Sequence, residues 1–197
     1  QGKGLPRVRP DGGPQTLEVA VDVPELMTER LVLRAFAAAD IDELHAVFTD
    51  AGVRRWLLDD QVVQRAWVAD EIAHSQVRFA EGNCGLWTLC ERRREGLVGF
   101  VGFRPFFDPP ELQLLYGLLP TQWSRGLATE AAAAAIDHGF GALGMREIRA
   151  ATDAPNVASI QVLERLGMHE RKRTEDGAHG TVFFELRPDD WAARRSL

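Results

Sequence analysis

Ten residues, Gln122 to Ala131, constrain this chain more than any other stretch: Gln-Trp-Ser-Arg-Gly-Leu-Ala-Thr-Glu-Ala. Ahead of them, Leu112 to Leu119 is a short apolar run with Gly117 inside it, the pattern of a buried strand with a weak point. Behind them, Ala131 to Ala135, Ile136, Phe140 and Leu143 recur at helical spacing, and Gly144 follows as a C′ stop. The stretch is therefore a strand-to-helix turn with little side-chain bulk. Such a turn exposes the first N–H groups of a helix, where the dipole also favours an anion. A phosphate-bearing ligand is the natural occupant. The turn is not a P-loop, since the Gly-Lys-Ser/Thr ending is missing, and it lacks the Gly-x-Gly-x-x-Gly of a dinucleotide site. Taken alone, a Gly-x-Ala of this kind is more often an ordinary helix start.

Three motifs in order lift the turn above that. Trp123 to Ala131 closely resembles the acetyl-CoA pyrophosphate loop of the GNAT N-acetyltransferases, in the form carried by the ribosomal-protein N-terminal acetyltransferase (RimJ/RimL-type) branch. Leu26 to Arg34, Leu-Met-Thr-Glu-Arg-Leu-Val-Leu-Arg, resembles the Thr-x-Arg-Leu strand that opens that domain before an Asp-led helix. Asn156-x-x-Ser159-x-x-Val162-Leu163-Glu164-Arg165-Leu166-Gly167-Met168 resembles the family's Asn-x-x-Ser…Glu-Lys-Leu-Gly-Phe block, with Met168 in place of Phe. The resemblance spans about Pro24 to Trp191. It implies the GNAT acyl-CoA N-acyltransferase fold, a central mixed and mostly antiparallel sheet flanked by helices, with acetyl-CoA as cofactor and an amine as acceptor.

Bulk properties agree with that expectation. The chain has 197 residues, 45% hydrophobic and 26% charged, which suits a single soluble α/β domain. A formal charge of −6 argues against general nucleic-acid binding and favours cationic acceptors. No apolar run approaches the roughly 20 residues a membrane helix needs, and no signal-peptide core follows the N-terminus. Cys84 and Cys90 have neither metal-ligand spacing nor a disulfide framework, so no metal site and a cytoplasmic setting are expected. Residues 1–23 read as a Pro/Gly-rich leader with an extra strand at 16–23, where Leu17, Val19, Val21 and Val23 alternate with Thr16, Glu18, Ala20 and Asp22. The domain is placed at 24–192 and a short tail at 193–197. The leader strand packs on the sheet edge or on a second subunit, which leaves a homodimer open.

Element by element, the order expected is β-α-α-β-β-β-α-β-α-β. Asp40 caps the first helix, whose buried stripe is Ile41, Leu44, Val47 and Phe48. A second helix covers 61–81, with Trp56 and Leu57 in the bend before it. Strands fall at 85–91, 97–103, 112–119, 146–152 and 181–186, and the helix from Pro155 buries Ile160, Leu163 and Leu166 before stopping at Gly167.

The chemistry follows from the resemblance. Arg125, Gly126, Leu127, Ala128 and Thr129 hold the cofactor phosphates through backbone N–H groups, with Arg125 either adding charge or lying in solvent. Trp123 packs the loop. Leu118 closes a strand that in this superfamily bulges and parts from its neighbour to meet pantetheine and the acetyl carbonyl, and Gly117 is the expected bulge. Asn156 caps its helix and bonds the pantetheine arm, roles that coexist. The tyrosine acid common in the family belongs at Leu163, and the chain's sole tyrosine, Tyr116, lies in the strand instead. Ser159 or a water is left to protonate the thiolate. The branch often carries Glu where Gln113 stands, and a neutral amide cannot take the amine proton. Glu111, two residues away on the same strand face, is the candidate base, ahead of Asp153 and His138. The reading is direct transfer of acetyl to a primary amine, a protein N-terminus or a small cationic amine. The alternatives are transfer of a longer acyl group, or an acyl-CoA-binding module without strong catalysis.

Overall fold

Strand phase is set early: Leu31 and Leu33 are fully buried while Arg34 is exposed, so one face of the first full strand points at a core. The computed structural model describes residues 23–82, 84–175 and 179–195. After β1 (Leu26–Met27) and β2 (Leu31–Ala35), three helices follow, α1 (Ile41–Thr49), α2 (Ala51–Leu57) and α3 (Arg65–Gly82). Then come β3 (Leu86–Glu91), β4 (Leu97–Phe106) and β5 (Glu111–Leu118), helix α4 (Leu127–Gly141), β6 (Ile148–Asp153) and α5 (Val157–Arg165). Strands β7 (His169–Thr174) and β8 (Thr181–Leu186) and helix α6 (Pro188–Arg195) complete the chain.

The strands form one sheet in the order β1-β2-β3-β4-β5-β6-β8-β7. Every neighbouring pair is antiparallel except β5 and β6, which are parallel because α4 carries the chain back across the sheet. Phe36, Phe48, Val53, Val68 and Phe100 pack α1–α3 on one face. Leu114, Leu118, Ala131, Ile136, Leu163, Phe184 and Trp191 pack α4–α6 on the other. This is the mixed α/β fold that the resemblance implied.

Several local expectations are corrected. The bend holding Trp56 and Leu57 is helix α2, started by Asp50, whose side chain accepts from the N–H of Gly52 at 2.8 Å and of Val53 at 3.3 Å. Asp40 does not cap α1. The chain enters that helix through a 3-10 turn, Ala38–Asp40, and the Asp40 carboxylate turns back to the N–H of Ala37 at 3.1 Å. Gly144 (φ 59°) reverses the chain only after α4 has ended at Gly141. Strand β7, His-Glu-Arg-Lys-Arg-Thr, has no apolar alternation because it is an exposed edge, rich in the charge that discourages further pairing. Helix α6 is pinned by Trp191, whose indole N–H donates to Asp137 at 2.8 Å. The expected leader strand lies outside the described residues apart from Val23, which packs on the α4–α6 core.

What positions a site is the seam between β5 and β6. From Glu111 to Leu118, β5 keeps an unbroken register with β4. With β6 it shares a single pair, Gln113 with Arg149. The two strands therefore part beyond Gln113, toward the end of β5 that leads into α4. The expected bulge at Gly117 is absent, and that glycine answers a different need: a Cβ there would lie 2.7 Å from the ring of Phe100. The N–H of Leu119 donates to Val98 at 3.0 Å. By strand alternation, odd-numbered residues of β5 then turn their amides to β4, and Tyr116 and Leu118 turn theirs into the gap.

Candidate active site

Two left-handed residues shape the turn before α4, Ser124 at φ 59° and Gly126 at φ 76°. Gly126 needs this freedom, since its φ rather than crowding excludes other residues; the nearest atom to a Cβ would be 3.6 Å away. As N-cap it offers no side chain, and no side-chain bond caps the helix. The N–H groups of Leu127, Ala128 and Thr129 thus begin a 15-residue helix uncapped, with its dipole behind them. Pro120–Gln122 forms a 3-10 turn ahead, and the Trp123 indole donates to the carbonyl of Leu118 at 2.7 Å. Trp123 packs the loop as expected, and in doing so occupies the Leu118 carbonyl, leaving its N–H as the group facing the gap.

The turn is held from outside by the connection between β1 and β2. Glu130 accepts from the Thr28 hydroxyl at 2.5 Å, the Arg30 N–H at 2.9 Å and the Arg30 guanidinium at 2.6 Å. The same guanidinium donates to the carbonyl of Arg125 at 2.8 Å. Burial opposes the charge on Glu130, but these bonds outweigh it and hold the carboxyl below its ordinary 4.5. A depressed carboxylate pKa stabilises the fold above about pH 4.5, and that stability is lost as pH falls through the lower, folded value. Glu130→Gln should therefore be less stable than the parent at neutral pH, and the gap should close below pH 4.5 in urea titrations. A gap that stays constant from pH 7 to 3 contradicts this role. Sequence reading gave the Thr28–Arg30 motif no task, and this is the one it performs.

Arg125 does not point at the helix start. Its guanidinium makes a two-pronged pair with Glu91 at 2.8 and 2.9 Å and also meets the Gln122 side chain. That donation holds the Glu91 carboxyl below its usual range. The charge of Arg125 is therefore engaged by Glu91 rather than free at the helix start.

Across the gap from β5 stands the start of α5. Asn156 caps it, its amide oxygen accepting from the Ser159 N–H at 3.2 Å. A cleft of about 590 Å³ runs between this helix start, Pro120, Trp123 and the Arg55–Trp56 end of α2. Helix α2 docks closely here, since a Cβ on Gly52 would stand 2.7 Å from Pro120 and 2.9 Å from Trp123. Asn156, the helix start that sequence reading selected, lines this cleft, and Trp123 on its other side stands three residues before Gly126.

Inside the gap the structure supplies a pair that sequence reading missed. The Tyr116 hydroxyl lies 2.9 Å from the Ser159 Oγ and 3.2 Å from the Ser159 carbonyl. Burial pushes the phenol well above its ordinary 10, against the opposing effect of Ser159, so it stays protonated. Leu163 is in the core, 1% exposed. A phenol thus does reach α5, but from the facing strand. The signal was available: Tyr116 shares the face of Leu114 and Leu118 by strand alternation, and that face looks at α5.

On the opposite face of β5, the Gln113 Nε2 donates to Glu111 at 3.3 Å, and Glu111 pairs with Arg149 at 3.1 Å. Glu111 begins the strand, roughly 23 Å from Leu118 at the usual rise per residue. It and Gln113 sit where β5 and β6 still pair, at the closed end of the gap. His138 packs edge-on against Trp87, ring centroids 5.4 Å apart, on the inner side of α4. Burial pushes the Cys84 thiol up, away from a ready nucleophile.

Comparison with known proteins places this architecture. Residues 30–169 match the model of the Acetyltransferase (GNAT) domain family. The uncharacterized N-acetyltransferase YoaA of Bacillus subtilis is 26% identical over 148 residues, covering 75% of this chain and 84% of that protein. Spermidine N(1)-acetyltransferase of Escherichia coli is 26% identical over 140 residues, covering 68% of this chain and 70% of that protein. Among solved structures, the ribosomal-protein acetyltransferase RimL in complex with coenzyme A superposes with a TM-score of 0.70 at 15% identity, covering 85% of this chain and 98% of that one. A phosphate-ready turn, a parted seam between parallel strands and a family match over most of the chain agree, and the chain belongs to the GNAT acetyltransferases.

Proposed function

We propose that the protein is an acetyl-CoA-dependent N-acetyltransferase of the ribosomal-protein N-terminal branch, acting on a primary amine by direct transfer in a ternary complex. The observation that carries this reading is the uncapped start of α4 behind Gly126, which follows three residues after Trp123 in the wall of a cleft that Asn156 lines from the other side. The residues present fit the cofactor: a left-handed glycine, uncapped N–H groups and a cleft of ligand size.

In this reading Gly126, Leu127, Ala128 and Thr129 donate their N–H groups to the phosphates, and Asn156 and the Leu118 N–H bind the pantetheine arm. Acetyl-CoA supplies the activated acyl carbon. The acceptor nitrogen forms the new C–N bond as the C–S bond breaks, the thiolate takes a proton from Ser159, the amine's surplus proton passes to water, and Ser159 regains its proton from water. Tyr116 is a positioning residue. Its phenol donates to Ser159, which leaves the serine's own proton free for the sulfur. The similarity to a spermidine acetyltransferase and the net charge of −6 support small cationic amines beside protein N-termini as acceptors.

The test is consumption of acetyl-CoA with a panel of polyamines and N-terminal peptides, combined with intact-mass spectra during turnover. The expected result is amine-dependent thiol release with the protein mass unchanged. Amine-independent binding without release would support the acyl-CoA-binding alternative, and stoichiometric acetylation of Cys84 or Cys90 on the reaction path would overturn direct transfer.

A further inference from the structure

The cleft beside the α4 turn has a one-sided chemistry. Most of its lining is apolar, with Trp56, Trp123, Pro120, Pro155 and Val157. Arg55 is the one charged residue of that lining, and no carboxylate shares it. The Asn156 oxygen accepts from the Ser159 N–H at 3.2 Å, so the group it has left to offer is its NH₂. Arg55 and Asn156, the polar side chains here, therefore present donors. Arg55 is also uncommitted. Its neighbour Arg54 pairs with Asp60 at 2.9 Å, and Asp50 gives its carboxylate to the N–H groups of Gly52 and Val53. Among the described residues Arg55 makes no ion pair, and its guanidinium lies over the Trp56 ring, 4.8 Å from the centroid. That contact holds the charge in place without neutralising it.

The course of α2 says which ligand meets this charge. The first turn of the helix docks on Pro120 and Trp123 through Gly52, beside the cofactor turn. Its last residue, Leu57, and Leu58 after it share a small cavity with Leu115. Leu115 stands three residues before Leu118 on β5, about 10 Å back along the strand. Arg55 and Trp56 thus lie between the phosphate end and the sheet, across the cleft from Asn156. Asn156 is the pantetheine side in the reading above, and the α2 wall is left for the second substrate. A charge in the wall outweighs the −6 of the whole molecule, because exposed charges more than about 8 Å away are largely screened at physiological ionic strength.

We propose that Arg55 sets acceptor specificity by binding a carboxylate, and that the acceptor is an amino acid with an apolar or aromatic side chain lying against Trp56 and Trp123. The inference rests on the acetyl-transfer reading above and narrows its acceptor. An amino acid supplies each thing the wall lacks: a carboxylate for the guanidinium, apolar area for the indoles, and a primary amine on the same carbon as the carboxylate. A polyamine brings positive charge to Arg55 and nothing for its donors to bind.

Leucine, phenylalanine and tryptophan, each beside its amide and beside spermidine, test this with the wild-type enzyme and acetyl-CoA. With each rate divided by the neutral fraction of its amine, the acids should exceed their amides at least tenfold in kcat/KM, about 1.4 kcal/mol. Arg55→Gln should bring the best acid down about tenfold, to the level of its amide, through KM rather than kcat. Arg55→Lys should restore part of the preference. The acetyl-CoA affinity of Arg55→Gln, read by calorimetry, should match the parent's, which also shows that the variant is folded. Amides used as well as acids by the wild type, or a preference that survives Arg55→Gln, would overturn the assignment. A tenfold loss of acetyl-CoA affinity in Arg55→Gln would overturn it too, giving the guanidinium to the cofactor phosphates. Without turnover, the Trp56 indole N–H resonance should shift saturably as phenylalanine is added to the coenzyme A complex, and a resonance that stays still would contradict the proposal. If the wild type acetylates no amine, the acetyl-transfer reading falls and this assignment with it. If it acetylates spermidine and none of the acids, only this assignment falls.

Discussion

Gly126→Asp is expected to weaken acetyl-CoA binding at least tenfold, about 1.4 kcal/mol, while leaving the fold intact. Space does not oppose the substitution, because the nearest atom to a new Cβ is the Arg30 guanidinium at 3.6 Å. The left-handed φ of 76° does strain a side chain here, less for Asp than for most residues. The effect comes from chemistry at the helix start. An Asp here sets a carboxylate beside the N–H groups assigned to the phosphates and repels their charge. The strained backbone should lower thermal stability modestly. Calorimetry and a melting curve on one preparation separate the two. A folded variant that binds acetyl-CoA as tightly as the parent would remove the turn from the cofactor site.

Ser159→Ala is expected to cut turnover by roughly tenfold to a hundredfold, with acetyl-CoA affinity within a few fold of the parent. The hydroxyl sits one helical turn into α5, 2.9 Å from the Tyr116 phenol, and its N–H remains bonded to Asn156 whatever the side chain. The loss belongs at the low end for general acids. A free thiol has a pKa of about 8.5, so a CoA thiolate departs tolerably without help. Tyr116→Phe should reproduce part of the loss, and the double variant should lose little more than Ser159→Ala alone, because the two hydroxyls act as one unit. Full turnover in Ser159→Ala with a genuine acceptor would assign the proton to water.

The sequence was most legible where pattern and composition agree. The run from Leu112 through Ala135 announced its strand, turn and helix, because apolar periodicity changes phase across residues with little bulk. Asn156 and Ser159 were legible for the same reason, as a cap and its partner. Helix α2 was hidden because its seven residues are too few to show a stripe, although Asp50 had marked its start. Strand β7 was hidden because an exposed edge carries no hydrophobic period. Gly117 was misassigned, since a glycine that makes room for Phe100 and one that forms a bulge look alike in sequence. The Tyr116–Ser159 contact joins residues 43 apart in the chain, and no local pattern reports such a pair.

The most direct test of the account is amide hydrogen exchange of the wild-type protein with and without acetyl-CoA. Bound cofactor should slow exchange at Leu127, Ala128 and Thr129, the uncapped donors of α4, and at Tyr116 and Leu118 along the open side of β5, while α6 stays unchanged. Protection that falls elsewhere, with the α4 start exchanging as fast as before, would contradict the cofactor site on which the proposed function depends.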